Sequence, residues 1–260
     1  MTAPASPGKV YLVGAGPGAP DLVTLRAARL LAQADVVFHD ALVHPDTLAL
    51  AARAERVAVG KRCGRHSTAQ RFINKRLVDA ARRHAVVVRL KGGDPMLFGR
   101  AQEEIDALRD AGVAFEVVPG VTAALAASAE LGVSLTQRGV ARSVTFATPR
   151  VAPGTPENSW ADAVATTDTA AIYMGAGEAA AVAGALRARG KPANLPVVAI
   201  ENASLPGARR WTTTLAGLPR LADESFEGPV MLLLGEVFAD ALVREQFLAA
   251  SRTYLLQSAG

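Results

Sequence analysis

The sequence predicts an α/β protein of two domains: a mostly parallel N-terminal sheet, a mixed C-terminal sheet, and an active site in the cleft between them. Three observations carry this. Short apolar runs of strand length alternate with amphipathic stretches of helix length along all 260 residues. Half the residues are hydrophobic and a fifth are charged, enough for an extensive core and unlike a disordered chain. The run at 10–13 is apolar, as a strand covered on both faces is.

The elements follow in order. Residues 10–13 form an apolar strand stopped by Gly14-Ala15-Gly16-Pro17-Gly18-Ala19-Pro20. Residues 21–34 place Leu22, Leu25, Ala28, Leu30 and Leu31 on one stripe, which predicts a helix. Residues 36–38 are a second strand ending at His39-Asp40, and a helix follows Pro45. Residues 56–59 are a third strand, 69–83 a helix, and 86–90 a fourth strand running into Lys91-Gly92-Gly93-Asp94-Pro95. Residues 101–111 are helical, and 115–118 form a fifth strand closed by Pro119-Gly120.

A helix of small residues over 122–131 opens the second half. Strands are predicted at 143–147, 169–174, 197–201 and 229–234, with a helix at 178–189 and a Pro-rich loop at 148–159. The alternation over 209–214 suits an antiparallel strand. The expected division is 1–120, 121–240 and a tail from 241 to 260. Leu242, Val243, Phe247, Leu248, Leu255 and Leu256 in that tail leave apolar surface either for a homodimer or for its own domain.

Charge is uneven. Residues 1–120 hold 17 Lys/Arg against 12 Asp/Glu, with the excess between Arg53 and Lys91. Arg71, Lys75, Arg76, Arg82 and Arg83 fit an exposed helix face, whereas Lys61, Arg62, Arg65 and His66 sit in a Gly-punctuated loop. A nucleic-acid partner is disfavoured because aromatic residues do not interleave with these charges. Cys63 stands alone, which excludes an intramolecular disulfide, and no His has a second ligand at metal spacing. No secretory signal or membrane-length apolar run is visible, so a cytoplasmic location is expected.

Gly14-x-Gly16-x-x-Ala19 meets the relaxed dinucleotide fingerprint. Pro17 and Pro20 lack the N–H groups a pyrophosphate needs, and Asp21 puts a negative charge there. A nicotinamide dehydrogenase therefore stays only as a rival reading. In Arg89-Leu90-Lys91-Gly92-Gly93-Asp94-Pro95, paired glycines let a ligand approach the backbone. A tight turn with Asp94 as a helix cap is the alternative.

These loops also carry a resemblance. VGAGPGAPDLVTLRA, ADVVFHDALV, VGKRCGRHSTAQRFIN, VVRLKGGDPMLFGRAQEE, FEVVPGVTAALAA, LTQRGVA, AIYMG and VVAIEN occur in the order found in the tetrapyrrole methylases that use S-adenosylmethionine. The GKRxGxH and RLKGGDPxxFGR pair resembles the uroporphyrinogen branch, with a precorrin-4 methylase as the nearest rival. The resemblance implies the tetrapyrrole methylase fold and C-methylation of uroporphyrinogen III at C2 and C7 to precorrin-2, in sirohaem or cobalamin biosynthesis. S-adenosylhomocysteine would be the product and no metal would be needed.

It further implies cofactor contacts at Pro17, Gly92, Gly93, Asp94, Leu97, Thr122, Ala123, Met174 and Ala203. Asp40 matches the family's proton acceptor and Lys61 its proton donor, while Arg100, Glu103 and Arg138 match the tetrapyrrole side. Simpler roles stand beside these: a capping Asp40, a substrate clamp at Lys61, a core Met174, and Arg100 paired with Glu103 or Glu104. The chain departs from the family at Ala41, Ala101 and Pro149, and the change at Ala41 removes one basic substrate contact.

Overall fold

The computed structural model describes residues 8–59, 70–151 and 159–242. The chain divides into two compact units, 1–123 and 124–260. Lys61 and the rest of the basic loop lie outside the described residues, as does most of the tail that motivated a homodimer.

The first unit holds β1 (Lys9–Gly14), α1 (Leu25–Gln33), β2 (Val36–His39), α2 (Pro45–Ala49), β3 (Glu55–Ala58), α3 (Gln70–Ala81), β4 (Val86–Lys91), α4 (Ala101–Asp110) and β5 (Phe115–Val118). The five strands form a parallel sheet in the order β3-β2-β4-β1-β5. Alternation sorts the strand residues between two faces. Val10, Leu12, Phe38 and Val87 pack against Ile73 and Leu77 of α3 and Ile105 and Leu108 of α4. Val13, Val37, Val88 and Leu90 pack against Ala27 and Leu31 of α1. Helices cover both faces, which explains the apolar runs at 10–13 and 36–38.

The second unit holds α5 (Ala123–Leu131), whose first residue closes the first unit, then β6 (Val144–Ala147), α6 (Trp160–Ala165), β7 (Thr169–Tyr173), α7 (Ala179–Arg187), β8 (Pro196–Glu201), β9 (Arg209–Thr214) and β10 (Val230–Gly235). Its sheet runs β6-β7-β10-β8-β9; only β6 and β7 pair parallel. Ala161 and Val164 of α6 and Val182 and Leu186 of α7 cover one face, against Ile172, Val197, Ala199 and Leu232.

One boundary and two short segments show where expectation and structure part. The first helix starts at Leu25, where Thr24 accepts a hydrogen bond from the Ala27 N–H; a separate 3-10 turn covers Pro20–Leu22. Val23 is extended between them, so the apolar stripe bridges a break. The helix α6 was not expected, because six residues behind a Pro-rich loop show too little periodicity. A 3-10 segment at Leu218–Asp223 was missed for the same reason.

A parallel sheet delivers every strand's carboxyl end to one edge. There the Ala15 N–H donates to the Lys91 carbonyl at 2.7 Å, and Gly16 and Gly93 exchange backbone hydrogen bonds of 3.2 and 2.7 Å. A Cβ on Gly14 would lie 2.6 Å from the Gly120 Cα and 2.7 Å from the Gly93 carbonyl oxygen. The first glycine of the fingerprint is therefore buried under two other loops, which removes it from a pyrophosphate. Gly14→Ala should destabilise the protein by about 1–3 kcal/mol through overpacking. Gly184→Ala, mid-helix in α7 with no atom beyond its own stretch of helix within 4 Å of the new methyl, should stabilise it by about 0.5–1 kcal/mol. Chemical denaturation of both variants checks the contrast.

Candidate active site

The loop from Lys91 to Arg100 is the centre of the candidate site. Gly93 has φ +66°, which the bridge to Gly16 requires. A Cβ there would meet nothing nearer than the Thr122 Cα at 4.0 Å, so the backbone is open above it. Asp94 uses both carboxylate oxygens within the unit: Oδ1 accepts from the Met96 N–H at 2.8 Å and Oδ2 from the Gly120 N–H at 3.0 Å. Asp94 thus caps a turn and not a helix, since α4 begins at Ala101 behind Arg100, and its carboxylate also ties the loop after β4 to the loop after β5. Pro17 and Leu97 are half-buried, and Thr122 is buried beside Gly93 just ahead of Ala123.

Below this loop lies a charged cluster that the sequence reading did not single out. Val87, Arg89 and Lys91 share one face of β4 by alternation, the face packed against α3 and α4. Arg89 Nε donates to Glu104 Oε1 at 2.9 Å, and its Nη2 donates to Asp40 Oδ1 at 2.5 Å. Lys91 Nζ donates to both Glu104 oxygens at 3.0 Å. Gln70 adds a third donor to Glu104 at 3.1 Å. Arg89, Lys91 and Glu104 are buried, whereas the Asp40 side chain is 27% exposed. Burial pushes the Lys91 ammonium below its ordinary value and Arg89 adds to this, against the pull of Glu104 and Asp40. Burial also works against the Arg89 cation, but Asp40 and Glu104 outweigh it and hold its pKa above the ordinary value.

Arg100 and Glu103 meet in a bidentate pair, Nε to Oε1 at 2.7 Å and Nη2 to Oε2 at 2.8 Å, with both side chains half-exposed. The hydrogen bond from Arg100 holds the Glu103 carboxyl below its usual range. Arg100 pairs with Glu103 and not with Glu104, which points inward to Arg89 and Lys91. Nη1 of Arg100 has no partner among the described residues.

Met174, Ala203 and Arg138 belong to the second unit. β7 and β8 are both antiparallel to β10 between them, so their carboxyl ends share one sheet edge, where Met174 and Ala203 follow. Met174 is 41% exposed, which sets aside the core reading. Glu201, 1% exposed, anchors the start of the loop after β8 by accepting from the Gly228 N–H at 2.7 Å and from Arg209 Nε at 2.7 Å. Arg138 is exposed in a turn closed by the Gln137–Ala141 pair.

Among the described residues, the non-glycine residues with positive φ are Phe98, Arg100, Met174, Asn202 and Ser204. All five fall in the loops after β4, β7 and β8 that carry candidate residues. Left-handed backbone at such residues costs about 1–2 kcal/mol each and tends to gather at functional sites.

A family model described as Tetrapyrrole (Corrin/Porphyrin) Methylases matches residues 9–219. Siroheme synthase of Pseudomonas fluorescens (strain SBW25) is 46% identical over 236 residues, 90% of this chain and 51% of that protein. Siroheme synthase of Chromobacterium violaceum is 47% identical over 232 residues, 88% of this chain and 49% of that protein. The chain thus spans about half the length of the curated relatives it matches. The uroporphyrin-III C-methyl transferase from Thermus thermophilus, solved with S-adenyl homocysteine, superposes with a TM-score of 0.78 at 41% identity, over 89% of this chain and 99% of that one. A cobalt precorrin-4 methyltransferase superposes at 0.77 with 29% identity, over 88% of this chain and 95% of that one.

Two stability measurements check the local geometry. Asp94→Asn turns one acceptor into a donor facing an N–H and should cost about 1–3 kcal/mol in denaturant unfolding. At position 174, Val should be less stable than Gly by about 1–2 kcal/mol, because φ +57° suits glycine and penalises a β-branched residue. Equal stabilities would remove the strain argument.

Proposed function

The chain belongs to the tetrapyrrole (corrin/porphyrin) methylase family, and from that premise we propose that it methylates uroporphyrinogen III at C2 and C7, using S-adenosylmethionine, to give precorrin-2. The observation that carries the reading is the single loop from Lys91 to Arg100. It offers an uncrowded glycine backbone at one end and a guanidinium at the other. The 41% identity to the Thermus enzyme over nearly all of that enzyme's length supports the substrate choice over the precorrin-4 alternative, which matches at 29%.

The open Gly93 backbone fits a ligand pressed against the main chain. Gly92, Gly93, Leu97, Thr122, Ala123 and Pro17 of the first unit, with Met174 and Ala203 of the second, would hold the cofactor. Asp94 would keep the glycines in place through its bonds to Met96 and Gly120. Bound S-adenosylmethionine supplies a methyl group already activated on a sulfonium. The protein's main task is then to hold the reacting ring carbon in line, about 3–3.5 Å from that methyl.

Uroporphyrinogen III carries eight carboxylates, and the basic first half of the chain would steer it. Glu103 occupies the Nε/Nη2 side of Arg100 and leaves the Nη1 end for a substrate carboxylate. Arg138 would add a second positive charge. Asp40 has one oxygen on Arg89; its Oδ2, without a hydrogen-bond partner among the described residues, would accept the proton that leaves the pyrrole ring once the new carbon–carbon bond has formed. Lys61 would donate a proton. The reading extends to a cytoplasmic homodimer.

Mass spectrometry of the product from uroporphyrinogen III should show two added methyl groups, and conversion of precorrin-4 alone would overturn the assignment. Arg100→Lys should lower kcat/KM by about ten- to a hundredfold through loss of a charge-assisted bond of about 1.5–3 kcal/mol. Calorimetry should find S-adenosylhomocysteine affinity unchanged. An exposed helix pair alone contributes about 0.3–0.5 kcal/mol, so near-wild-type turnover would mean that Arg100 only pairs with Glu103.

A further inference from the structure

The buried cluster of Arg89, Lys91 and Glu104 has no part in the chemistry outlined above, and it is costly to bury. β4 is otherwise Val86, Val87, Val88 and Leu90, so apolar residues suit its position in the sheet. Replacing a buried ionic group with apolar residues of similar volume is often neutral or stabilising. Stability alone therefore does not account for the cluster.

Its connectivity gives it a direction. Lys91 grips both oxygens of Glu104, and Glu104 accepts the Nε–H of Arg89. Arg89 Nη1 donates to the Leu90 carbonyl at 3.1 Å and to the Phe38 carbonyl at 3.4 Å, on the strand that leads to Asp40. Its Nη2 ends on Asp40 Oδ1. The Asp40 N–H meanwhile donates to the Leu90 carbonyl at 3.2 Å. Glu104, Lys91 and Arg89 are each at most 3% exposed, so the cluster meets solvent through its partly exposed partners, Asp40 at the Arg89 end and Gln70 at the Glu104 end. The guanidinium is clamped at both ends and holds one oxygen of the Asp40 carboxylate, whose Oδ2 has no hydrogen-bond partner among the described residues.

The geometry points to Glu104 as a positioning residue for Asp40, acting through Arg89, with Lys91 fixing Glu104 in turn. This rests on the proposed methyl transfer, in which Asp40 accepts the ring proton. Misplacing a reacting group by about 1 Å can cost on the order of a hundredfold in rate, so a loosened Arg89 should be read in kcat.

The test is a double-mutant cycle with uroporphyrinogen III. Lys91→Met with Glu104→Gln removes one charge of each sign and keeps the volumes. This pair should lower kcat by about ten- to a hundredfold, with KM and S-adenosylhomocysteine affinity within about twofold of wild type. In an Asp40→Asn background the same pair should cost less than about twofold, because residues acting as a unit are not additive. Arg89→Lys keeps the buried charge and loses the fork; it enters the same cycle with the same expectation, so a misfolded pair would not shelter the inference. Unchanged kcat, a loss confined to KM, or losses that add to that of Asp40→Asn would overturn it. Wild-type protein with no turnover would overturn the methylation reading and this inference together, whereas wild-type turnover with additive losses would overturn this inference alone.

Discussion

The first unit depends on a crowding of backbone at the carboxyl edge of its sheet. Gly14, Gly93 and Gly120 come from the ends of three adjacent strands, β1, β4 and β5, and approach so closely that two of them admit no Cβ. Glycine's role differs from one position to the next. At Gly14 and Gly120 it gives room for another loop, while at Gly93 it gives a left-handed turn with space above it. Asp94 sits across the junction and binds the N–H of Gly120. A loop built this way has little freedom, and rigid loops on a rigid sheet are what a positioning enzyme requires.

Beneath those loops the packing changes character. The face of β4 turned to α3 and α4 begins with Val87 and ends with two cations on one buried carboxylate. Each charge is tolerable only because the others are present; removing one partner of such a group typically costs about 3–5 kcal/mol. The second unit likewise has a strained main chain, after β7 and β8, and a buried Glu201 that ties Arg209 and Gly228 together.

Much of the fold was legible in the sequence, because covered parallel strands are written as apolar runs and their helices as stripes. The start of α1 was misread: Leu22 fits the stripe, and only the extended Val23 and the capping Thr24 reveal a break. The helix α6 was too short to carry a period. Within the site, the glycine loop and the Arg100–Glu103 pair were visible as residue types at short spacing. The Arg89–Glu104 contact was not, since it joins a strand to a helix 15 positions on and depends on which way each face turns. The left-handed conformations at Phe98, Arg100 and Met174 had no sequence signal either, because those residue types do not announce positive φ.

Backbone amide hydrogen exchange with and without S-adenosylhomocysteine tests the central claim most directly, namely that the open glycine backbone after β4 is where the cofactor lies. The account predicts added protection at Gly92, Gly93 and Thr122, with no change at the amide of Gly14, already enclosed by neighbouring loops. Protection confined to the turn from Gly14 to Ala19, or the same pattern produced by NAD, would contradict it.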